Sequence, residues 1–490
     1  MRVLVVGGGS AGWIAAATLQ SRLNGAGRGP VSITVLESPQ TPPIGVGEAT
    51  IPTFRTMLKN FGVSEPGFLR ACNATFKQGI RFDGWSGEGS SYLHPFHRMQ
   101  GPDLRSVVPD WLASDGEMAF AETVSAQPTL IAANKAPRQR TDPDFECAVP
   151  YAYHLDADAF AQFMADHLTP QGVVRRAAHV TKVMRDEQGY VSGLITDAEV
   201  MTADLYIDCT GQRGLLFETS DWVSYADRLL CDAAVTFRVP HTEKSPSPAN
   251  FTSAKALPAG WAWDIGLRNR RGRGYVYSSR HCSAEEAEAT LRRDEGLAAQ
   301  GIEARHITFK SGHRAAQWQG NVVAIGLSGG FLEPLESTGL FLADFASRLL
   351  VEMFPPGPDA ALMLPLAQRY NDLLAEMYDD LGDFLSLHYQ ISGRTDTAFW
   401  RDASAPERAS PRLRHLLSMW DLRPPSFADF SFRYSPFSHQ SYEFVLLGSG
   451  WRPSGSVQGA DGVVLSPDVS TLRRRLLMSL PDHCASLPEN

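Results

Sequence analysis

Three glycines near the start of this 490-residue chain are spaced to hold a phosphate. Residues 3–6 read VLVV, an apolar strand run. Gly7, Gly9 and Gly12 follow as G-x-G-x-x-G, with Ser10 and Ala11 inside the spacing and a helical run beyond. A second strand run, residues 31–37, ends in Glu37. Strand, glycine turn, helix, strand and acid are the parts of a dinucleotide site. Glycine lets the backbone turn tightly and approach a pyrophosphate, the helix start favours its charge, and an acid at that distance can hold a ribose hydroxyl.

A second constellation is FLEPLESTGL, residues 331–340, where Glu333 and Glu336 sit in an apolar stretch ahead of Ser337, Thr338 and Gly339. Phe341, Phe345, Leu349 and Met353 then recur at helical spacing. Ser337 or Thr338 can cap that helix, and free amides at a helix start form an anion site. Two further strand runs end in turn residues: ADLYIDCTG carries Asp208, and NVVAIGLSGG carries Gly326. Later strands return to the cofactor in this way in FAD-binding folds of the two-dinucleotide type. No second G-x-G-x-x-G occurs in the chain, so reduced flavin is expected to arrive from elsewhere.

The elements that must carry these groups belong to an ordinary globular chain, 43% hydrophobic and 20% charged. The net charge of −9 and the lack of a long basic block argue against nucleic-acid binding. The short basic runs 268–273 and 473–475 read as solvated surface. No apolar stretch approaches the roughly 18 residues that span a bilayer, and no signal-peptide pattern opens the sequence. Six scattered cysteines fit reduced thiols in the cytoplasm. Around Lys77 the sequence alternates: Phe76, Gln78, Ile80 and Phe82 on one side of a strand, and Lys77, Gly79, Arg81 and Asp83 on the other. Residues 366–389 have the apolar spacing of a long amphipathic helix.

Taken in order, GGGSAGW (7–13), GVGEATIP (45–52), FKQGIRFDGW (76–85), YHLD (153–156), WAWDI (261–265), FLEPLESTG (331–339) and HYQISGRTDTAFW (388–400) resemble the flavin-dependent halogenases of the tryptophan-halogenase type. The likeness runs from residue 1 to about 450. It implies a chemistry in which reduced FAD, oxygen and chloride or bromide give hypohalous acid, which then halogenates an electron-rich arene such as an indole. The implied partners are a separate NAD(P)H-dependent flavin reductase and a small aromatic substrate, with a homodimer as the expected assembly. Lys77 would carry the oxidant, by a hydrogen bond or as a haloamine, and Glu336 would stabilise the cationic ring and accept its proton. The backbone of Thr338 and Gly339 would hold the halide. Expected cofactor contacts are Gly7, Gly9, Ser10, Ala11, Gly12, Glu37, Ala49, Val180, Asp208, Gly326 and Leu340. His94 and Phe96 would sandwich the arene, and Trp451, with Phe437, Tyr442 and Phe444, would close the pocket. The loop 45–52 would link flavin and active site. In one place the chain departs from the family: Gly266 stands where W-x-W-x-I-P has proline. No counterpart is evident of the acidic lid that grips an amino-acid end, which favours a free arene. A flavin hydroxylase of the same fold is the alternative enzyme, and a flavoprotein acting as a binding module is the third reading.

The implied architecture is α/β, a flavin monooxygenase-like FAD-binding fold. Its module spans residues 1–355, with a β-sheet substrate layer interleaved at about 91–150 and 221–300. A mainly helical C-terminal cap covers 356–490, and the last twenty residues are expected to form a loosely held tail.

Overall fold

The computed structural model describes residues 1–25, 31–41, 47–98, 107–113, 118–218, 221–241, 247–454 and 467–488. The elements that position the candidate groups are strands Arg2–Val6 (β1), Ser32–Glu37 (β2), Thr75–Lys77 (β3), Gly79–Asp83 (β4), Ser91–Pro95 (β5), Ala152–Asp156 (β6), Leu205–Asp208 (β7), Thr252–Leu257 (β8) and Gly260–Gly266 (β9). The helices are Ser10–Leu19 (α1), Gly339–Glu352 (α2), Ala360–Gln390 (α3), His439–Gly448 (α4) and Pro467–Ser479 (α5). The chain is a mixed α/β fold of two compact units. Unit one holds Met1–Asn73, Leu155–Tyr225 and Phe309–Tyr378; unit two holds Ala74–His154, Ala226–Thr308 and Asp379–Asn490.

Unit one is built on a six-stranded sheet in the order Trp318–Gln319, Val322–Ala324, β7, β1, β2, Val174–Ala177. β1 pairs in parallel with both β2 and β7. The apolar run VLVV follows from that central place, since a parallel strand is covered on both faces. Residues 12–19 of α1 are all buried, and α1 packs on α2.

Unit two is built on a seven-stranded sheet in the order Arg305–Thr308, Ala233–Val239, Arg271–Tyr277, β9, β8, β4, β5. Only β4 with β8 is parallel. Gly266 closes β9, and the structure gives its departure from proline a reason. A Cβ there would lie 2.9 Å from both the Ala249 nitrogen and the Pro248 Cβ, so any larger residue would press on that segment and glycine relieves it.

Two expectations are corrected. The alternation around Lys77 is not one strand: it breaks at Gln78, between β3, which pairs with β6, and β4, which pairs with β5 and β8. The Gln78 amide leaves the ladder for the Asn250 carbonyl at 2.8 Å. Nor is the end of the chain loose. Leu476 and Leu480 are buried in a cluster with Ala126, Leu130 and Val149, because α5 carries an apolar stripe that the basic run 473–475 interrupts but does not remove. The predicted helix over 366–389 is present within the longer α3.

Candidate active site

In unit one the glycine turn joins β1 to α1. Gly7 has φ +122°, and a Cβ on it would sit 2.2 Å from the Cys209 carbonyl oxygen; one on Gly12 would sit 1.9 Å from the Gly7 oxygen. Neither position admits a side chain. A Cβ on Gly9 would meet nothing within 4 Å, so the turn is open where a ligand would approach. Gly9 takes the N-cap place of α1 without a side-chain cap, while the Ser10 hydroxyl donates to the Ala157 carbonyl at 3.2 Å. Glu37 ends β2 beside this turn, since a Cβ on Gly8 would collide with its carboxylate. Its other partner is the Arg175 guanidinium. Open glycine, uncapped helix start and adjacent acid fit a dinucleotide pyrophosphate and ribose.

Of the remaining expected cofactor residues, Gly326 is the one seen against this turn's helix. Gly326 (φ +73°) turns against α1, where its Cβ would come within 2.6 Å of Ala11 Cβ. Asp208 ends β7 with both carboxylate oxygens engaged by its own loop: Oδ1 accepts from the Thr210 amide at 2.9 Å and hydroxyl at 2.7 Å, and Oδ2 from the Leu216 amide at 2.8 Å. Val180 packs on a cluster containing Leu36, Ala178 and Tyr206. Ala49 is buried in a three-residue strand beside Glu48, whose carboxyl is pushed up by burial to about 7. Gly45 lies outside the described residues.

The segment 331–340 turns sharply before α2. Glu336 and Ser337 both have positive φ, 64° and 63°, though neither is glycine. Such strain costs on the order of 1–3 kcal/mol each and tends to gather at functional loops. Glu333, Glu336, Ser337 and Thr338 are all buried. Thr338 takes the N-cap place of α2, but its hydroxyl makes no capping hydrogen bond, which removes Thr338 from the two expected caps. Gly339 is exposed and a Cβ on it would meet open space. Leu340 is buried in the first turn. An uncapped helix start with a bare glycine can accept a small anion.

In unit two Lys77 is fully buried at the end of β3. Its Nζ lies 5.4 Å from the centroid of the Phe96 ring, within cation–π range. His154 pairs with Thr75 across the β3–β6 ladder. Burial, and then the positive charge of Lys77, hold His154 well below the usual imidazole range. The Thr75 hydroxyl donates to the Gly266 carbonyl at 2.6 Å and lies 3.4 Å from His154 Nδ1, while His154 Nε2 lies 2.8 Å from the Thr252 hydroxyl. His94, on β5, stands in an aromatic wall with Phe384, Phe437 and Phe444 at 6.0, 6.2 and 6.0 Å. Phe384 and Phe437 stack at 4.1 Å. Trp451 packs on the cluster that contains Phe444 and Trp111.

Unit one thus gathers the glycine turn, Glu37, Ala11 and Gly326, with Thr338, Gly339 and Leu340 at the start of the helix packed on α1. Unit two brings Lys77 to the Phe96 ring, sets His94 in the wall with Phe444, and packs Trp451 on the cluster that contains Phe444. Sequence reasoning missed the buried ion pair between Arg98 Nη1 and Glu443 Oε2, 2.5 Å apart. Burial outweighs Arg98 and pushes the Glu443 carboxyl up to about 7. The pair joins a segment just after β5 to α4, and no local spacing announces it.

This chain belongs to the tryptophan halogenase family, whose model matches residues 2–463. It is a flavin-dependent halogenase, an enzyme class defined by flavin and halide use. It is 34% identical over 503 residues to the tryptophan 6-halogenase of Streptomyces toxytricini, covering 97% of this chain and 94% of that protein. The solved tryptophan halogenase of Shewanella frigidimarina superposes with a TM-score of 0.92 at 33% identity, over 99% and 97% of the two chains. A flavin-dependent halogenase of Brevundimonas sp. BAL3 superposes with a TM-score of 0.87 at 34% identity, over 100% and 99%. Among the described residues, no helix is long and apolar enough to cross a membrane.

Proposed function

We propose that this enzyme receives reduced FAD from a separate NAD(P)H-dependent reductase and halogenates a free electron-rich arene of the indole type. The observation that carries the reading is a fully buried lysine against an aromatic ring: Lys77 on β3 stands 5.4 Å from the Phe96 ring, and Phe96 lies two residues past His94 of the aromatic wall. A buried ammonium is costly, and a reaction that needs it gives it a reason to be there.

Gly7, Gly9, Ser10, Ala11, Gly12, Glu37 and the turn at Gly326 would hold the cofactor, with Ala49, Val180, Asp208 and Leu340 completing its surroundings. Bound reduced flavin supplies the two-electron reduction of oxygen that turns a halide into hypohalous acid. The amides at Thr338 and Gly339 hold the halide. The Lys77 ammonium hydrogen-bonds hypohalous acid, or its neutral amine forms the haloamine; the low dielectric around it strengthens either contact. His94 and Phe96 stack on the arene and leave one ring carbon open. Glu336 stabilises the cationic ring and takes the proton from the carbon that gains the halogen. Glu443 is committed to Arg98, so it does not offer a free carboxylate to an amino-acid ammonium. That supports a free arene, although the relatives above are named for tryptophan.

The test supplies FAD, a flavin reductase, NADH, chloride or bromide, and a panel containing indole and tryptophan, with product mass as readout. Halogen isotope patterns with indole-type arenes ahead of tryptophan are expected. A gain of one oxygen without halogen would instead make the enzyme a hydroxylase.

A further inference from the structure

The strand that carries Lys77 is held by the far end of the chain. β3 pairs on one side only with β6 within unit two. On its other side the Phe76 amide, the residue before Lys77, donates to Nε2 of His483 at 3.2 Å, across 407 residues of sequence. His483 Nδ1 lies 3.2 Å from the Pro248 carbonyl. An Nε2 that accepts must be unprotonated, so Nδ1 carries the proton and donates to Pro248. The imidazole is fully buried and neutral, and its ring centre lies 6.1 Å from that of Phe76.

The residue after Lys77 is fixed too. The Gln78 amide donates to Asn250, and its side-chain Nε2 to the Lys135 carbonyl at 2.7 Å. Asn250 Nδ2 donates to that same carbonyl at 2.9 Å. The tail closes this ring: the His483 amide donates to the Asn134 carbonyl at 2.8 Å, Ala136 to Pro481 at 2.9 Å, and Lys135 pairs with Asp482 at 2.9 Å. Segments 134–136, 248–250 and 481–483 therefore grip residues 76 and 78 on either side of the lysine.

From this we infer that His483 is a positioning residue for Lys77, and that the C-terminal segment is a clamp setting how the lysine meets its oxidant. The consequence for chemistry rests on the proposed role of Lys77; the clamp itself does not. A lysine on a loosened strand would let hypohalous acid escape, so the loss appears as uncoupling rather than as loss of FAD.

Two substitutions separate the bonds. His483→Gln keeps an acceptor at the position of Nε2, whereas His483→Asn is too short to reach Phe76 and keeps only the donor side. The readout is halogenated product per NADH oxidised, with escaped oxidant trapped by a dimedone. His483→Asn is expected to lower the ratio about fivefold, the order that one hydrogen bond governs, while His483→Gln stays within about twofold and FAD affinity is unchanged in both. Equal ratios in the two variants would overturn the inference. Residue-level hydrogen exchange on the parent protein decides the clamp without any variant or activity. The Phe76 and Gln78 amides should be strongly protected; exchange of Phe76 at the rate of an open strand edge would overturn it. A parent enzyme that makes no halogenated arene contradicts the functional proposal instead, and leaves the exchange result to judge the clamp.

Discussion

On the proposed reading, unit one would hold cofactor and halide mainly through backbone amides, with Glu336 as its side-chain exception, whereas unit two would act through side chains. At the glycine turn and at Thr338 and Gly339, what is offered is a row of amides, made available because no Cβ fits at Gly7 or Gly12 and none is present at Gly9 or Gly339. At Lys77 what would be offered is a side-chain nitrogen at the end of a long chain, held by a strand that remote segments fix. A backbone site needs little beyond local geometry. A side-chain site in a buried setting needs every neighbour placed, because an unplaced charge there is costly. The first kind resists small additions and the second resists lost contacts.

Four substitutions probe that contrast, strongest first. Gly7→Ala puts a Cβ against the Cys209 carbonyl, at a φ that L residues rarely adopt. FAD affinity measured by flavin fluorescence should fall about 100-fold; unchanged affinity would remove the turn from the cofactor site. Glu336→Gln keeps the shape and removes the charge. Arene halogenation should fall by about 10- to 100-fold with flavin oxidation intact, and a parent-like product rate would deny the carboxylate its role.

The third probe is acidity. Burial lowers His483 from 6.5 to about 4. The folded chain therefore binds fewer protons than the unfolded chain between those values, and stability is lost as pH falls from about 6.5 towards 4. At pH 5 the loss is about 2 kcal/mol relative to pH 7, with buried His154 adding in the same direction. Chemical denaturation of the parent and of His483→Gln at both pH values should show a smaller drop in the variant. Equal drops would mean that His483 does not resist protonation. The smallest effect is expected of Gly266→Ala, where the Pro248–Ala249 backbone must shift by a few tenths of an ångström. A cost of about 1 kcal/mol in unfolding free energy is expected, and a neutral result would show that this strand end is slack.

How much of this could be read from the sequence follows the same division. The strand–turn–helix around Gly7, Gly9 and Gly12 was legible because its parts are contiguous in sequence, although the carbonyl that excludes a side chain at Gly7 comes from the distant Cys209. Glu37 was legible for the same reason. The strain at Glu336 and Ser337 was not, since neither residue type announces a left-handed backbone. The environment of Lys77 was the least legible. The alternation there suggested a single strand, but the break at Gln78 is made by Asn250 and Lys135, and His483 sits in the last twenty residues, which were expected to be loose. No window of sequence contains residues 77, 135, 250 and 483 together. The resemblance to halogenases supplied the importance of Lys77, and the structure supplied its surroundings.

The most direct measurement is Lys77→Ala assayed with FAD, a flavin reductase, NADH, bromide, indole and a dimedone trap. The account predicts parent-like FAD affinity and NADH oxidation, brominated trap, and arene bromination reduced at least about 100-fold. Brominated indole at the parent rate would contradict it.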